Sequence, residues 1–197
     1  MSDITWTGWG VLDEARTMLR TAVAGVAADG WELPTPCEAW TVTQVLQHAA
    51  LDQEAWAAVL GGTQMPGENP FEPSGQLGTE ALAYADHALE TSGPAWTAIG
   101  DAAQVPTPLP QGPMAPADAA AAAALDAAIH AWDIAMATGQ GSPLTPELAR
   151  SLTPVAQSIV EPLRAYGVYA QALEAAPDAD DDAALLCYLG RRPDWKA

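Results

Sequence analysis

The chain contains three histidines, His48, His87 and His130, and one of them stands in a pattern suited to metal ligation. Asp126 precedes His130 by four positions and Asp133 follows it by three, in the run Asp126-Ala127-Ala128-Ile129-His130-Ala131-Trp132-Asp133. Residues at i, i+4 and i+7 share a helix face, so these three form a polar stripe. An apolar stripe of Leu125, Ile129, Trp132 and Met136 runs beside it. A carboxylate and an imidazole one turn apart can point at one ion, but a single helix supplies only part of a coordination sphere. The candidate for the third ligand is His48, mid-helix at the edge of an apolar face of Val42, Val45, Leu46, Ala49 and Val59. Two imidazoles and a carboxylate drawn from two helices leave coordination positions open for water or substrate.

The same residues also have a plainer reading. Asp126 and His130 could be an exposed helix pair contributing roughly 0.2–0.5 kcal/mol, with His48 a satisfied histidine at the core's border. Asp133 reads as a hydrogen-bond partner of a ligand rather than a ligand. Asp52, one turn beyond His48, could orient that imidazole in the same way. His87 reads as a surface residue. Cys37 precedes a helix, whose N-terminus lowers a thiol pKa, but no histidine adjoins it and the flanking prolines suggest packing. It is a minor candidate for a nucleophile. The chain holds no Gly-rich phosphate loop, no Gly-x-Ser-x-Gly elbow and no His-Glu-x-x-His motif.

These residues need helices to position them. Apolar spacing places a first helix over 11–28, stopped by Asp29-Gly30. Thr41 and Gln44 form a capping box for a second, over 41–60, closed by Gly61-Gly62. Residues 61–77 read as a long loop, and a third helix covers 79–90 and resumes over 95–99. Four prolines bar continuous helix from 101 to 115, where a short hairpin is expected. Pro116 opens a fourth helix, through six consecutive alanines to Thr138. Thr145 and Pro146 start a fifth, expected to be kinked or interrupted at Pro154 and to end near Gly167. A short last helix begins with the acidic run 178–182 and ends at Gly190. The expected fold is all-α, a four-helix bundle with a short C-terminal helical extension, forming one domain over 1–197.

Composition narrows the function classes. Against 25 acidic residues stand 7 basic ones, a net charge of −18, so nucleic acid and anionic membrane surfaces are excluded as partners. From 21 to 149 there is no Lys or Arg. Any anion bound in that stretch must find its positive charge in a metal, a helix N-terminus or a distant Arg, and a neutral or weakly charged small molecule is the expected substrate. Without a run of about 18 apolar residues no membrane span is expected, and the stretch 1–9, with acidic Asp3 and no basic residue, does not read as a secretory signal. The expected location is the cytoplasm. Cys37 and Cys187 form no CxxC pair and read as reduced thiols. Eight Trp against a single Phe make indoles the bulky packing groups and leave material for a homodimer surface.

Several motifs carry a family resemblance. Thr35-Pro36-Cys37-Glu38-Ala39-Trp40-Thr41-Val42, followed by His48, resembles the start of the mycothiol-dependent maleylpyruvate isomerase N-terminal-domain family, within the DinB-like metalloprotein superfamily. His130-Ala131-Trp132-Asp133 with Thr138-Gly139-Gln140 is similar to its second signature. Tyr188-Leu189-Gly190-Arg191-Arg192-Pro193-Asp194-Trp195 is similar to the ending of one of its subgroups. The resemblance implies a DinB-like four-helix bundle holding a divalent metal, zinc first and otherwise Ni, Mn or Fe. The matching ligand positions are His48, Asp126 and His130, with Asp126 where Glu is usual. It also implies a low-molecular-weight thiol such as mycothiol as co-substrate, bound as thiolate and added to an electrophile for transfer or isomerisation. The expected function is therefore a metal-dependent thiol transferase or isomerase. The alternatives are a non-catalytic metal-binding module and a metal-dependent hydrolase with Asp133 as its base.

Overall fold

The computed structural model describes residues 7–196, so the reading of the extreme N-terminus, Asp3 included, lies largely outside the described residues. Among the described residues six helices follow in order: α1 (Gly10–Ala24), α2 (Val42–Gly61), α3 (Ala81–Thr97), α4 (Pro116–Ala137), α5 (Pro146–Ala165) and α6 (Asp181–Tyr188). Helices α1 to α4 form the bundle, with α4 packed against α1, α2 and α5, and α2 against α3. The last two helices pack on each other as the C-terminal extension.

Helix α4 is the axis of the molecule. Its alanines admit close neighbours, and most of its faces are buried, two residues of the polar stripe included: His130 is 6% exposed and Asp133 0%, while Asp126 is half-buried. By length and composition α4 could cross a membrane, yet 83% of its most apolar window lies inside the bundle, as in a core helix. The indoles supply the expected bulk, with Trp56, Trp96 and Trp132 fully buried and Trp56 and Trp96 in ring contact at 5.3 Å.

Helix α2 starts with the expected capping box: Gln44 N–H donates to Thr41 Oγ1 (3.4 Å) and Thr41 N–H to Gln44 Oε1 (3.0 Å). Its polar face also anchors the loop that follows. Gln44 Nε2 donates to the Pro73 carbonyl (3.0 Å), Gln47 Nε2 to Glu68 Oε2 (2.6 Å), and Gly75 N–H to Gln47 Oε1 (2.7 Å). Among the described residues, the expected hairpin over 101–115 is present as an antiparallel bridge between Val105 and Met114.

Three boundaries differ from expectation. Helix α1 ends four residues early because the Gln140 side chain reaches back, Nε2 donating to the Ala22 carbonyl (2.9 Å) and packing where a Cβ on Gly25 would stand. Helix α3 runs unbroken through Pro94 instead of pausing, and buried Arg16 of α1 donates to the Leu89 carbonyl one turn earlier. Helix α5 likewise continues past Pro154 and Pro162. Both prolines are exposed, as are Arg150 and Ser158, whose carbonyls they leave without a helical donor, so water can serve them.

Candidate metal centre

His48 on α2 and Asp126 and His130 on α4 converge, although 78 positions separate His48 from Asp126. Ligand atoms of the three residues lie within 4.8 Å of one another. Both Nε2 atoms face the same oxygen, Asp126 Oδ1, at 3.2 Å from His48 and 3.5 Å from His130. Each Nδ1 faces a group that only accepts: the Pro70 carbonyl at 2.8 Å for His48 and Asp133 Oδ2 at 2.9 Å for His130. The proton of each neutral ring therefore sits on Nδ1, and each Nε2 offers a lone pair to the shared point.

Two nitrogen lone pairs and a carboxylate oxygen directed at one point repel unless positive charge lies among them. Nitrogen and oxygen donors of this kind suit zinc and its divalent neighbours. Asp126 Oδ2 is buried and has no hydrogen-bond partner among the described residues, as fits a carboxylate whose second oxygen awaits a ligand. A proton on His130 would also relieve the repulsion. Burial disfavours the His130 cation, but Asp126, then the hydrogen bonds to Asp126 and Asp133, outweigh it and raise its pKa to about 9. Burial works against the Asp126 charge too, yet His130 and His48 hold its carboxyl well below the usual range.

The surrounding residues divide differently from the sequence expectation. Asp133 pairs with His130 Nδ1, and it is also fully enclosed, with Arg191 donating to Oδ2 (3.0 Å) and Oδ1 (3.4 Å). Burial opposes its charge, and Arg191 followed by His130 keeps its pKa low. Occupied on both oxygens and absent from the cavity wall, it is corrected as a candidate base for hydrolysis. Asp52 does not orient His48, since the Pro70 carbonyl, carried by the loop that Gln44 and Gln47 anchor, takes Nδ1. Asp52 instead lines the cavity with Oδ2 buried and unpartnered. Burial and then the Asp126 charge push its carboxyl well above the usual range.

Cys37 also lines the cavity, but the expected activation is reversed. Burial first, then the Asp133 charge, push its thiol up to about 12. His87 is exposed, as expected.

The cluster opens on a cavity of about 930 Å³. Trp40 packs over His48 with ring centroids 4.7 Å apart, and Phe71 lies on the same imidazole at 5.8 Å. The far wall comes from the end of α5 and the irregular segment 166–173, and Arg191 enters from beyond α6. Sequence reasoning did not assign a site role to Trp40, Pro70, Phe71, Arg191 or this segment. Phe71 carried one signal, as the chain's single Phe set in a Gly- and Pro-rich loop. Arg191 carried another, as one of only seven basic residues.

A helical bundle with a His–carboxylate–His cluster at the floor of an open cavity has the architecture of the DinB-like proteins. The chain belongs to the family described as mycothiol maleylpyruvate isomerase N-terminal domain, which it matches over residues 12–135. It is also similar to two proteins of Mycobacterium tuberculosis, "Uncharacterized protein Rv0738" of strain H37Rv and "Uncharacterized protein MT0763" of strain CDC 1551. Each is 30% identical over 152 residues, covering 75% of this chain and 76% of the relative. No solved structure matches. The family match includes every residue of the cluster and stops before α5.

Proposed function

We propose that the protein is a metal-dependent enzyme that uses a low-molecular-weight thiol of the cytoplasm, mycothiol or a close analogue, to attack a small electrophilic substrate. The observation that carries this reading is the convergence of the Nε2 atoms of His48 and His130 on Asp126 Oδ1, with both Nδ1 atoms held by acceptors. His48, Asp126 and His130 would hold the ion. A divalent ion there supplies the charge that keeps a thiol as thiolate near neutral pH.

The remaining work falls to this chain's own groups. Asp133 and the Pro70 carbonyl keep the imidazole tautomers and ring planes fixed. Arg191 neutralises Asp133, so a buried carboxylate can support His130 without adding net charge. Asp52 at the cavity wall, its carboxyl pushed upward by burial and then by the Asp126 charge, holds a proton more readily than an ordinary carboxyl. Trp40 and Phe71 shield the outer faces of the ligand rings from water. The family's name supports mycothiol as the thiol. The open cavity above the cluster favours catalysis over a closed storage or structural centre.

The test is elemental analysis of protein purified without an affinity tag, followed by calorimetric titration of the metal-loaded protein with mycothiol. Near-stoichiometric metal that disappears in His130→Ala, and thiol binding that disappears with it, is the expected result. Wild type that takes up no zinc, nickel, manganese or iron overturns the reading.

A further inference from the structure

The cavity has two unlike halves. Its floor is the polar cluster on α2 and α4. Its mouth carries most of the chain's exposed large apolar side chains among the described residues: Phe71 is 53% exposed, Tyr166 74%, Val168 38% and Leu173 41%. The other one, Met65, does not line the cavity. Apolar surface gathered at the mouth of a pocket marks a binding surface, whereas scattered exposed apolar residues carry no such meaning.

This mouth is built rather than incidental. Segment 166–173 has no regular structure, yet it is pinned at both ends. Leu173 N–H donates to the Cys187 carbonyl at 2.8 Å, and Arg164 donates to the carbonyls of Ala170 and Tyr188. Gly190, at φ +81°, lets the segment lie so close that a Cβ there would meet Ala170 Cβ at 2.8 Å and the Gln171 carbonyl at 2.9 Å.

Charge decides what fits. Among the described residues lining the cavity, Arg191 is the only Lys or Arg, and Asp133 already occupies it. The wall also holds acidic Glu38 and Asp126, and the chain carries a net charge of −18. An anion seated at the mouth, away from the cluster, would enter against this field without a free cationic side chain. At about 930 Å³ the space lies near the upper end of ligand pockets, roughly 300–1,000 Å³, leaving room for a bulky body beside a thiol.

We infer that the electrophile is an uncharged molecule with an apolar body of aromatic-ring size, seated on Phe71, Tyr166, Val168 and Leu173 with its reacting end towards the cluster. The wall that selects it lies mainly beyond the family match, so residues 159–191 set the substrate class while 12–135 supply the chemistry. The inference rests on the proposed function for calling this molecule an electrophile and for the direction in which its reacting end points.

Two fluorescent probes with the same ring skeleton test it. N-phenyl-1-naphthylamine is uncharged, and 8-anilinonaphthalene-1-sulfonate carries one negative charge. Titrated into metal-loaded protein, the uncharged probe should bind at least tenfold more tightly than the sulfonate. The double variant Tyr166→Ser/Leu173→Ser should weaken the uncharged probe at least tenfold while metal content stays unchanged. These side chains are exposed, so the fold should survive their replacement. Leu173→Lys should narrow the gap between the probes by drawing in the sulfonate. Equal or tighter binding of the sulfonate to wild type, or uncharged-probe binding that the double variant leaves intact, overturns the inference. Wild type that binds the uncharged probe but carries no metal sinks the metal reading alone. Metal-loaded wild type that does not bind the probe sinks this one alone.

Discussion

The two sides of the cavity are held together by different physics. The cluster sits on α2 and α4, rigid helices buried in the bundle, and each ring nitrogen has an assigned partner. The opposite wall is an irregular segment fixed by one glycine, a few carbonyl hydrogen bonds and the insertion of Arg191. The first arrangement sets the directions of lone pairs within narrow limits, as chemistry requires. The second sets only shape and polarity, which suffices for choosing a substrate and tolerates change more readily. The two meet at Asp133, which accepts from His130 on one side and Arg191 on the other.

The largest effect is expected at the cluster itself. His130→Ala or Asp126→Ala should lower metal content from near one equivalent to below roughly a tenth, read by elemental analysis, because two remaining ligands hold an ion poorly. Next comes the junction. Arg191→Met leaves Asp133 as a buried charge with one partner fewer and should lower stability by about 3–5 kcal/mol, measured by denaturant unfolding. A loss under about 1 kcal/mol would show that the two sides are independent.

Acidity should separate the two sides as well. In metal-free protein, the His130 pKa is raised to about 9 from an ordinary value near 6.5. Its contribution to stability is therefore fully present below about pH 6.5 and lost as pH rises through about 9. Metal must displace that proton, so zinc affinity should climb about tenfold per pH unit across this window, with roughly one proton released on binding. Calorimetry in buffers of different ionisation enthalpy measures both quantities. A flat pH profile would mean that His130 is neutral before metal arrives.

Smaller effects belong to the wall. Gly190→Ala meets both a left-handed φ and the Ala170–Gln171 backbone, and should cost about 1–2 kcal/mol in thermal unfolding with metal content unchanged. Cys37, its thiol pushed up to about 12, should react with iodoacetamide at neutral pH far more slowly than free cysteine. Rapid labelling would place the thiol in a more polar setting than its buried position implies.

Helix types and most of their starts were legible because they rest on local chemistry. The Thr41–Gln44 box, Pro116 and the Thr145–Pro146 start act within one turn of chain. The misjudged boundaries depend on distant residues or on which face a proline takes: Gln140 closes α1, and the exposed position of Pro154 lets α5 continue. The same division holds at the site. Asp126, His130 and Asp133 share a face by helical spacing alone, so their association could be read in advance. The orientation of His48 could not, because its acceptor is a loop carbonyl, a group that every residue carries and no sequence pattern marks. Arg191 and segment 166–173 were hidden for a similar reason, since irregular chain has no period from which to infer what it faces.

By itself the sequence determined the helices, the polar stripe on α4, the acidic balance and the family, all of which depend on residue type and short spacing. Only the tertiary structure decided that His48 meets the α4 stripe and that Pro70 rather than Asp52 holds its ring. It also decided that Arg191 neutralises Asp133 and that an apolar wall closes over the cluster. These are contacts between segments far apart in the chain, brought together by packing within the bundle and of the bundle against its C-terminal extension.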